Sequence, residues 1–217
     1  MTVILFLRHG KTPTTGSVLP GRARGLHLSD EGQAQAADAA RRIEAVASVS
    51  AVYCSPLERT RETAAPIARA FGLRARIERG LLECDFGDWT GAELKKLMKL
   101  PEWTTVQRYP SGFTFPGGES FSDMQARMSD TVTRLCDRHP GETIVAVSHA
   151  DTIKAVVASA LGTHLDLFQR IMIAPCSVTA VAYGPTGPAV LAVNATATIG
   201  ELRKPEPKPG PKPGPKR

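Results

Sequence analysis

A chain of 217 residues, 42% hydrophobic and 22% charged, is long enough to bury a sizeable core, and none of its apolar runs approaches the ~18 residues of a membrane span. The formal charge of +6 is confined: residues 203–217, RKPEPKPGPKPGPKR, hold six basic residues against one acidic, a net of +5, and leave the first 202 residues at +1. A nearly neutral body with few aromatic residues excludes nucleic-acid recognition by the folded part. The alternating Lys, Pro and Gly predict a disordered, extended basic tail over 203–217, free to contact anionic partners, behind a single domain spanning 1–202.

The start, MTVILFLRHG, lacks the basic leader and small-residue cleavage site of a secretory signal. It predicts a first strand, Val3–Leu7, and a cytoplasmic protein. Further along the chain, short β-branched runs alternate with amphipathic stretches, the pattern of an α/β sheet. Strands are predicted at Ala51–Ser55, Ala75–Glu78 and Thr143–Ser148. Between the first two strands, SDEGQAQAADAARRIEAVA sets Ala36, Ala40, Ile43 and Ala47 on one helical face behind a polar start. SPLERTRETAAPIARAFG predicts a second helix closed by Gly72. From Thr90 to Gly118, GAELKKLM and PEWTTVQRYPSGFTFPGG predict a smaller helical and loop insertion over the sheet. Its aromatic residues, with Trp89, Trp103, Tyr109, Phe113 and Phe115 among the candidates, are expected to be available to a substrate. Phe121, Met124, Met128, Val132 and Leu135 then recur at helical spacing as a core stripe. The runs Ser177–Tyr183 and Ala189–Asn194, joined by GPTGP, predict an antiparallel hairpin, which makes the sheet mixed.

Cys54, Cys84, Cys136 and Cys176 lie far apart with no C-x-x-C, and read as free thiols. No H-E-x-x-H is present, so no catalytic metal and no cofactor are expected. His27, His139 and His164 are expected at the surface. The remaining polar residues fall at strand ends. Arg8 and His9 close the first strand, Arg59 lies on the opening turn of the helix after the second, and His149 follows Thr143–Ser148 directly. In open α/β sheets ligands gather beyond the carboxyl ends of the strands. Two histidines and two arginines meeting at helix N-termini suit a phosphoryl group, whose oxygens accept from guanidinium, imidazole and backbone N–H alike.

LRHGKT, SPLERTRETA, LLECDFGDWTG and VSHADTIKAV together, in this order, resemble the motifs of the histidine phosphatase superfamily, the phosphoglycerate mutase-like group, over Thr2 to about Asn194. The resemblance implies a three-layer α/β fold, a mixed, mostly parallel sheet with helices on both faces. It also implies a phosphatase without metal or cofactor, acting on a small phosphorylated metabolite. Residue by residue, it makes His9 the nucleophile that accepts the phosphoryl group, with Arg8 and Arg59 as clamps and His149 holding the phosphate from the other side. Glu83 becomes the proton donor to the leaving group, with Asp85 the next candidate. Glu58 and Arg61 are expected to be solvated helix residues. LPGRARGLHLSDEGQAQA resembles the family's segment after the first motif and brings Gly21 and Arg22 near the substrate, Arg22 either as a third positive contact or as a solvent-facing side chain.

The residue types agree with that chemistry. Neighbouring arginines hold His9 in the neutral form that can attack, and a carboxyl beside a phosphate dianion keeps a proton for the leaving alcohol. After RHG the mutases continue with Glu-Ser, where this chain has Lys11 and Thr12. After the acid they carry Arg-His-Tyr-Gly, where this chain has Cys84, Asp85, Phe86 and Gly87. CDFGDWTG is more similar to the phosphatases of the group. A mutase-type transfer, a phosphoprotein phosphatase and a catalytically silent scaffold remain the alternatives.

Overall fold

The computed structural model describes residues 1–45 and 47–196; the predicted tail at 203–217 lies outside them. Among the described residues six strands form one sheet: β1 (Thr2–Arg8), β2 (Ala51–Cys54), β3 (Ala75–Ile77), β4 (Thr143–Ser148), β5 (Val178–Gly184) and β6 (Gly187–Ala195). Their spatial order is β3-β2-β4-β1-β5-β6. The first four run parallel, and β5 and β6 are antiparallel. The principal helices are α1 (Asp30–Glu44), α2 (Glu58–Ala70), α5 (Phe121–Arg138) and α6 (Ala150–Ala160). Two shorter ones, α3 (Leu94–Leu97) and α4 (Glu102–Arg108), lie inside the predicted insertion. No described helix is long and apolar enough to cross a membrane.

Alternation along β1 builds the three layers. Leu5 and Leu7 face one way and pack with Ala36, Ala40 and Ile43 of α1 and Ala64 and Ile67 of α2. Ile4 and Phe6 face the other way, against Met128, Val132 and Leu135 of α5 and Ile153 and Val157 of α6. This is the period-two rule of a strand buried on both faces. Helix starts follow their caps: the side chains of Ser29 and Ser120 accept from Gly32 N and Asp123 N, three residues further along, at the starts of α1 and α5. The final hairpin turns through Pro185 and Thr186, and Gly187 takes the positive φ of 103° that the tight reversal needs.

Two expectations from sequence are corrected here. His139 is buried, not superficial: its ring lies 2.9 Å from Tyr53 Oη and 2.6 Å from Glu142 Oε2, so β2 and the turn before β4 share one polar network. The aromatic residues of the insertion mostly face inward. Trp89, Phe113 and Phe115 are buried with Phe86, Phe121 and Phe168 in a third core between the insertion, α5 and α6. Edge-to-face pairs such as Phe86–Phe115 at 4.8 Å and Phe113–Phe115 at 5.0 Å fix that core. Trp103 is half-buried and only Tyr109 is exposed.

Candidate active site

Strand register brings the strand-end residues together. Arg8 of β1 stands opposite Ser148 of β4, and His9 N donates to Ser148 O at 3.0 Å. His9 and His149 are therefore neighbours beyond the ends of adjacent parallel strands, with ring centroids 5.2 Å apart. On the other side of β4, Cys54 pairs with Val147, which sets Ser55 and the first turn of α2 beside His149. Gly10 lets β1 leave the sheet under α1: a Cβ there would stand 2.5 Å from Gly32 O. Its N–H is held by Thr63 Oγ1 at 3.0 Å.

His9 is buried, and its Nδ1 lies 2.8 Å from Gly10 O. A carbonyl can only accept, so Nδ1 carries the hydrogen and Nε2 keeps its lone pair. Burial first, then Arg59 and Arg8, pull its pKa from 6.5 to about 3, so the ring is neutral at physiological pH. His149 is fully buried and held well below its ordinary value by burial and by Arg59. Arg59 Nη2 donates to its Nδ1 at 3.4 Å, and its Nε2 then donates to Ser55 Oγ at 2.8 Å.

Arg59 is completely buried and anchored by Nη2 to Gly21 O at 2.7 Å. Arg8 is anchored by Nη1 to Ile173 O at 2.6 Å. Among the described residues neither guanidinium makes a salt bridge, and the buried Nε of each has no acceptor. Leaving a buried donor unpaired costs about 1–3 kcal/mol, more for a charged group, and an anion that brings acceptors would remove that cost. Glu83 is buried in the same neighbourhood. Burial and then Asp151 raise its pKa from 4.5 to about 7, against the opposing pull of Cys84 N–H, Arg59 and Arg8. Next to Asp151, Leu19, Phe86, Trp103, Lys154 and Gln169 help to enclose a cavity of about 160 Å³. Among the described residues no three His, Cys, Asp or Glu side chains gather at metal-binding distance.

The other nominated residues sit differently. Gly21 is buried under Thr90 and Phe86 and supplies the carbonyl that anchors Arg59. Arg22 is neither solvent-facing nor free: it donates to Glu83 O at 2.9 Å, Asp85 Oδ2 at 3.2 Å and Glu119 Oε2 at 3.0 Å. Asp85 is thereby committed to Arg22 and to Gly87 N. Glu58 is half-buried, with one carboxylate oxygen shielded from water, whereas Arg61 is exposed as expected. Ser55, Thr63, Glu119, Arg127 and Asp151 were not singled out from sequence. The Ser of SPLERT and the Asp of SHADT stood inside motifs already recognised, and only their neighbours across the sheet give them a role.

Two neutral imidazoles, two anchored guanidiniums with unpaired Nε donors and a carboxyl raised to about 7 gather at the carboxyl ends of parallel strands, a set of groups that can hold an anion beside an acid. The chain belongs to the histidine phosphatase superfamily (branch 1), whose family model matches residues 4–196. It is 29% identical over 206 residues to phosphoserine phosphatase 1 of Hydrogenobacter thermophilus, covering 93% of this chain and 96% of that one. It is 30% identical over 197 residues to a bifunctional protein of Mycobacterium tuberculosis, covering 90% of this chain but 54% of the other, so it spans about half of that relative's length. Its fold is similar to that of a mycobacterial glucosyl-3-phosphoglycerate phosphatase, with TM-score 0.80, 25% identity, and 89% and 98% of the two chains covered. It is also similar to Bacillus stearothermophilus YhfR, with TM-score 0.83, 26% identity, and 90% and 98% covered.

Proposed function

We propose that the protein hydrolyses a small phosphomonoester through a phosphohistidine on His9. The observation that carries this reading is the pair of arginines, half-buried Arg8 and fully buried Arg59, each with a buried, unpaired Nε donor beside a neutral His9 whose Nε2 lone pair is free. A phosphate dianion supplies the missing acceptors, and the two cations cancel the charge that otherwise repels a nucleophile. His9 Nε2 forms the bond to phosphorus as the bond to the ester oxygen breaks. Glu83, holding a proton to about pH 7, delivers it to the departing alkoxide. His149 and the arginines take the charge that builds on the equatorial oxygens. In the second half, water attacks phosphorus, the Glu83 carboxylate takes its proton, and the N–P bond breaks to release inorganic phosphate.

A small leaving alcohol can reach the cavity of about 160 Å³ bordered by Asp151, the residue whose charge acts on Glu83. The phosphatases similar to this chain support hydrolysis over phosphoryl transfer between positions of a sugar acid. Four free cysteines support a reducing, cytoplasmic setting. The test is acid quenching of the enzyme with a radiolabelled phosphomonoester in EDTA. Acid-labile, base-stable label on the wild type, absent from His9→Ala, is the expected result, with release of inorganic phosphate. A His9→Ala protein that turns over at the wild-type rate overturns the proposal.

A further inference from the structure

Glu83 sits where a 3-10 turn, Arg79–Leu81, gives way to a loop, so its stretch of backbone has no ladder to hold it. Side chains take that place. Arg127 Nη1 donates to Gly80 O at 2.6 Å and Leu82 O at 2.8 Å. Ser148, the residue before His149, donates to Leu81 O at 2.8 Å. Arg22 Nε donates to Glu83 O at 2.9 Å, and Arg127 Nη2 approaches the same oxygen at 3.4 Å. Four consecutive carbonyls are each taken by a side chain.

Glu119 ties the two arginines together. Its oxygens accept from Arg127 Nε and Nη2, both at 2.8 Å, and from Arg22 Nη2 at 3.0 Å. Its Oε2 also accepts from Asp85 N at 3.2 Å, and its own N–H donates to Asp85 O at 2.8 Å. With these bonds Arg127 spends every nitrogen of its guanidinium on this loop and on Glu119. The glycines before Glu119 permit the approach, since a Cβ on Gly118 would stand 2.3 Å from Asp85 O.

We propose that Glu119, Arg127 and Arg22 are positioning residues for Glu83: they hold the backbone of residues 80–85 so that its carboxyl stays inside the phosphoryl pocket, an inference that rests on Glu83 being the proton donor. The carboxyl is faced there by Arg8 of β1, Arg59 of α2, Asp151 of α6 and the N–H of Cys84. A loosened loop lets it reach water and behave as an ordinary carboxylate.

The experiment compares wild type, Glu119→Gln, Arg127→Lys and Glu83→Gln on an alkyl and an aryl phosphate, reading kcat, KM and the pH dependence of kcat/KM. An aryl oxide leaves with little protonation, so it reports the pocket without the acid. For Glu119→Gln the expected result is a loss of at least about 10-fold in kcat on the alkyl ester, under about 3-fold on the aryl ester, and a high-pH limb moved to lower pH. Arg127→Lys keeps the charge but has three donors on a single nitrogen in place of the planar fork, and gives the same signature instead of rescue. Equal losses on both esters with an unmoved pH profile overturn the clamp. A Glu83→Gln enzyme that does not separate the esters overturns the proton-donor role itself, and with it the clamp. Separation by Glu83→Gln but not by Glu119→Gln overturns the clamp alone. If Glu119→Gln does not fold, Arg22→Lys, at a half-buried position, must show the same signature in weaker form, and its absence overturns the proposal.

Discussion

Replacing Glu83 by Gln should make the protein more stable at alkaline pH while disabling it. The pKa of this buried carboxyl is raised from 4.5 to about 7, so between those values the native state holds a proton that the unfolded state has released. Its contribution to stability is complete below pH 4.5 and is lost as pH rises through 7. At about 1.4 kcal/mol per pH unit, that rise corresponds to roughly 3 kcal/mol withdrawn from the wild type by pH 9. The amide of the Glu83→Gln variant stays neutral throughout and can keep the contact that Cys84 N makes with Glu83 Oε1 at 3.0 Å. His9 acts in the opposite direction, since its depressed pKa of about 3 makes stability rise with pH up to 6.5, but it is common to both proteins and cancels in their difference. Urea unfolding at pH 4.5, 7 and 9 in phosphate-free buffer measures that difference. The variant should gain about 3 kcal/mol on the wild type between the extremes, equivalent to roughly 6–12 °C in Tm for a chain of this size. A difference that does not change with pH would show that Glu83 titrates as an ordinary exposed carboxylate, and the proton-donor argument would go with it.

Arg59→Lys keeps the charge but loses the planar fork anchored on Gly21 O, and should lower kcat/KM about 10²-fold on alkyl and aryl esters alike, as loss of one preorganised donor does. Phe113→Ala empties a site in the third core beside Phe115 and Trp89; thermal or urea melts should record a loss of about 3 kcal/mol or more, with KM nearly unchanged if this aromatic is core and not a substrate contact. Removing residues 203–217, which carry a net +5, should leave kcat unchanged and weaken salt-sensitive adsorption to anionic vesicles, which a cosedimentation series in NaCl measures.

Much of the fold was legible because its signals are local. The apolar run from Val3 to Leu7, the helically spaced stripe from Phe121 to Leu135 and the β-branched run Thr143–Ser148 each encode a period, and a period identifies a strand or a helix without reference to any other part of the chain. The strand expected at Val3–Leu7 falls one residue short of β1 at each end, and that at Ala75–Glu78 overruns β3 by one, because pairing with a neighbour decides the last hydrogen bond. Arg8, His9 and His149 were legible for a related reason, since charged and imidazole side chains at the ends of apolar runs are conspicuous wherever they occur, whereas Arg59, inside the helix that starts at Glu58, stood out through the motif SPLERTRETA. Periodicity does not say which strand lies beside which. That β4 inserts between β1 and β2, and so brings His9 to His149 and Ser55 to His149, is decided by long-range burial on the two sheet faces. The residues that sequence left undecided or misplaced are those whose surroundings depend on a distant partner. Arg22 is an exposed arginine or a substrate contact until Glu119, 97 positions away, stands beside it. His139 is a surface histidine until Tyr53 meets it across 86 residues. Composition and spacing determined the strands, the helices and the residue types available to the site; only the folded chain decided which polar groups are desolvated together, and desolvation is what keeps His9 neutral and lets Glu83 hold a proton to about pH 7.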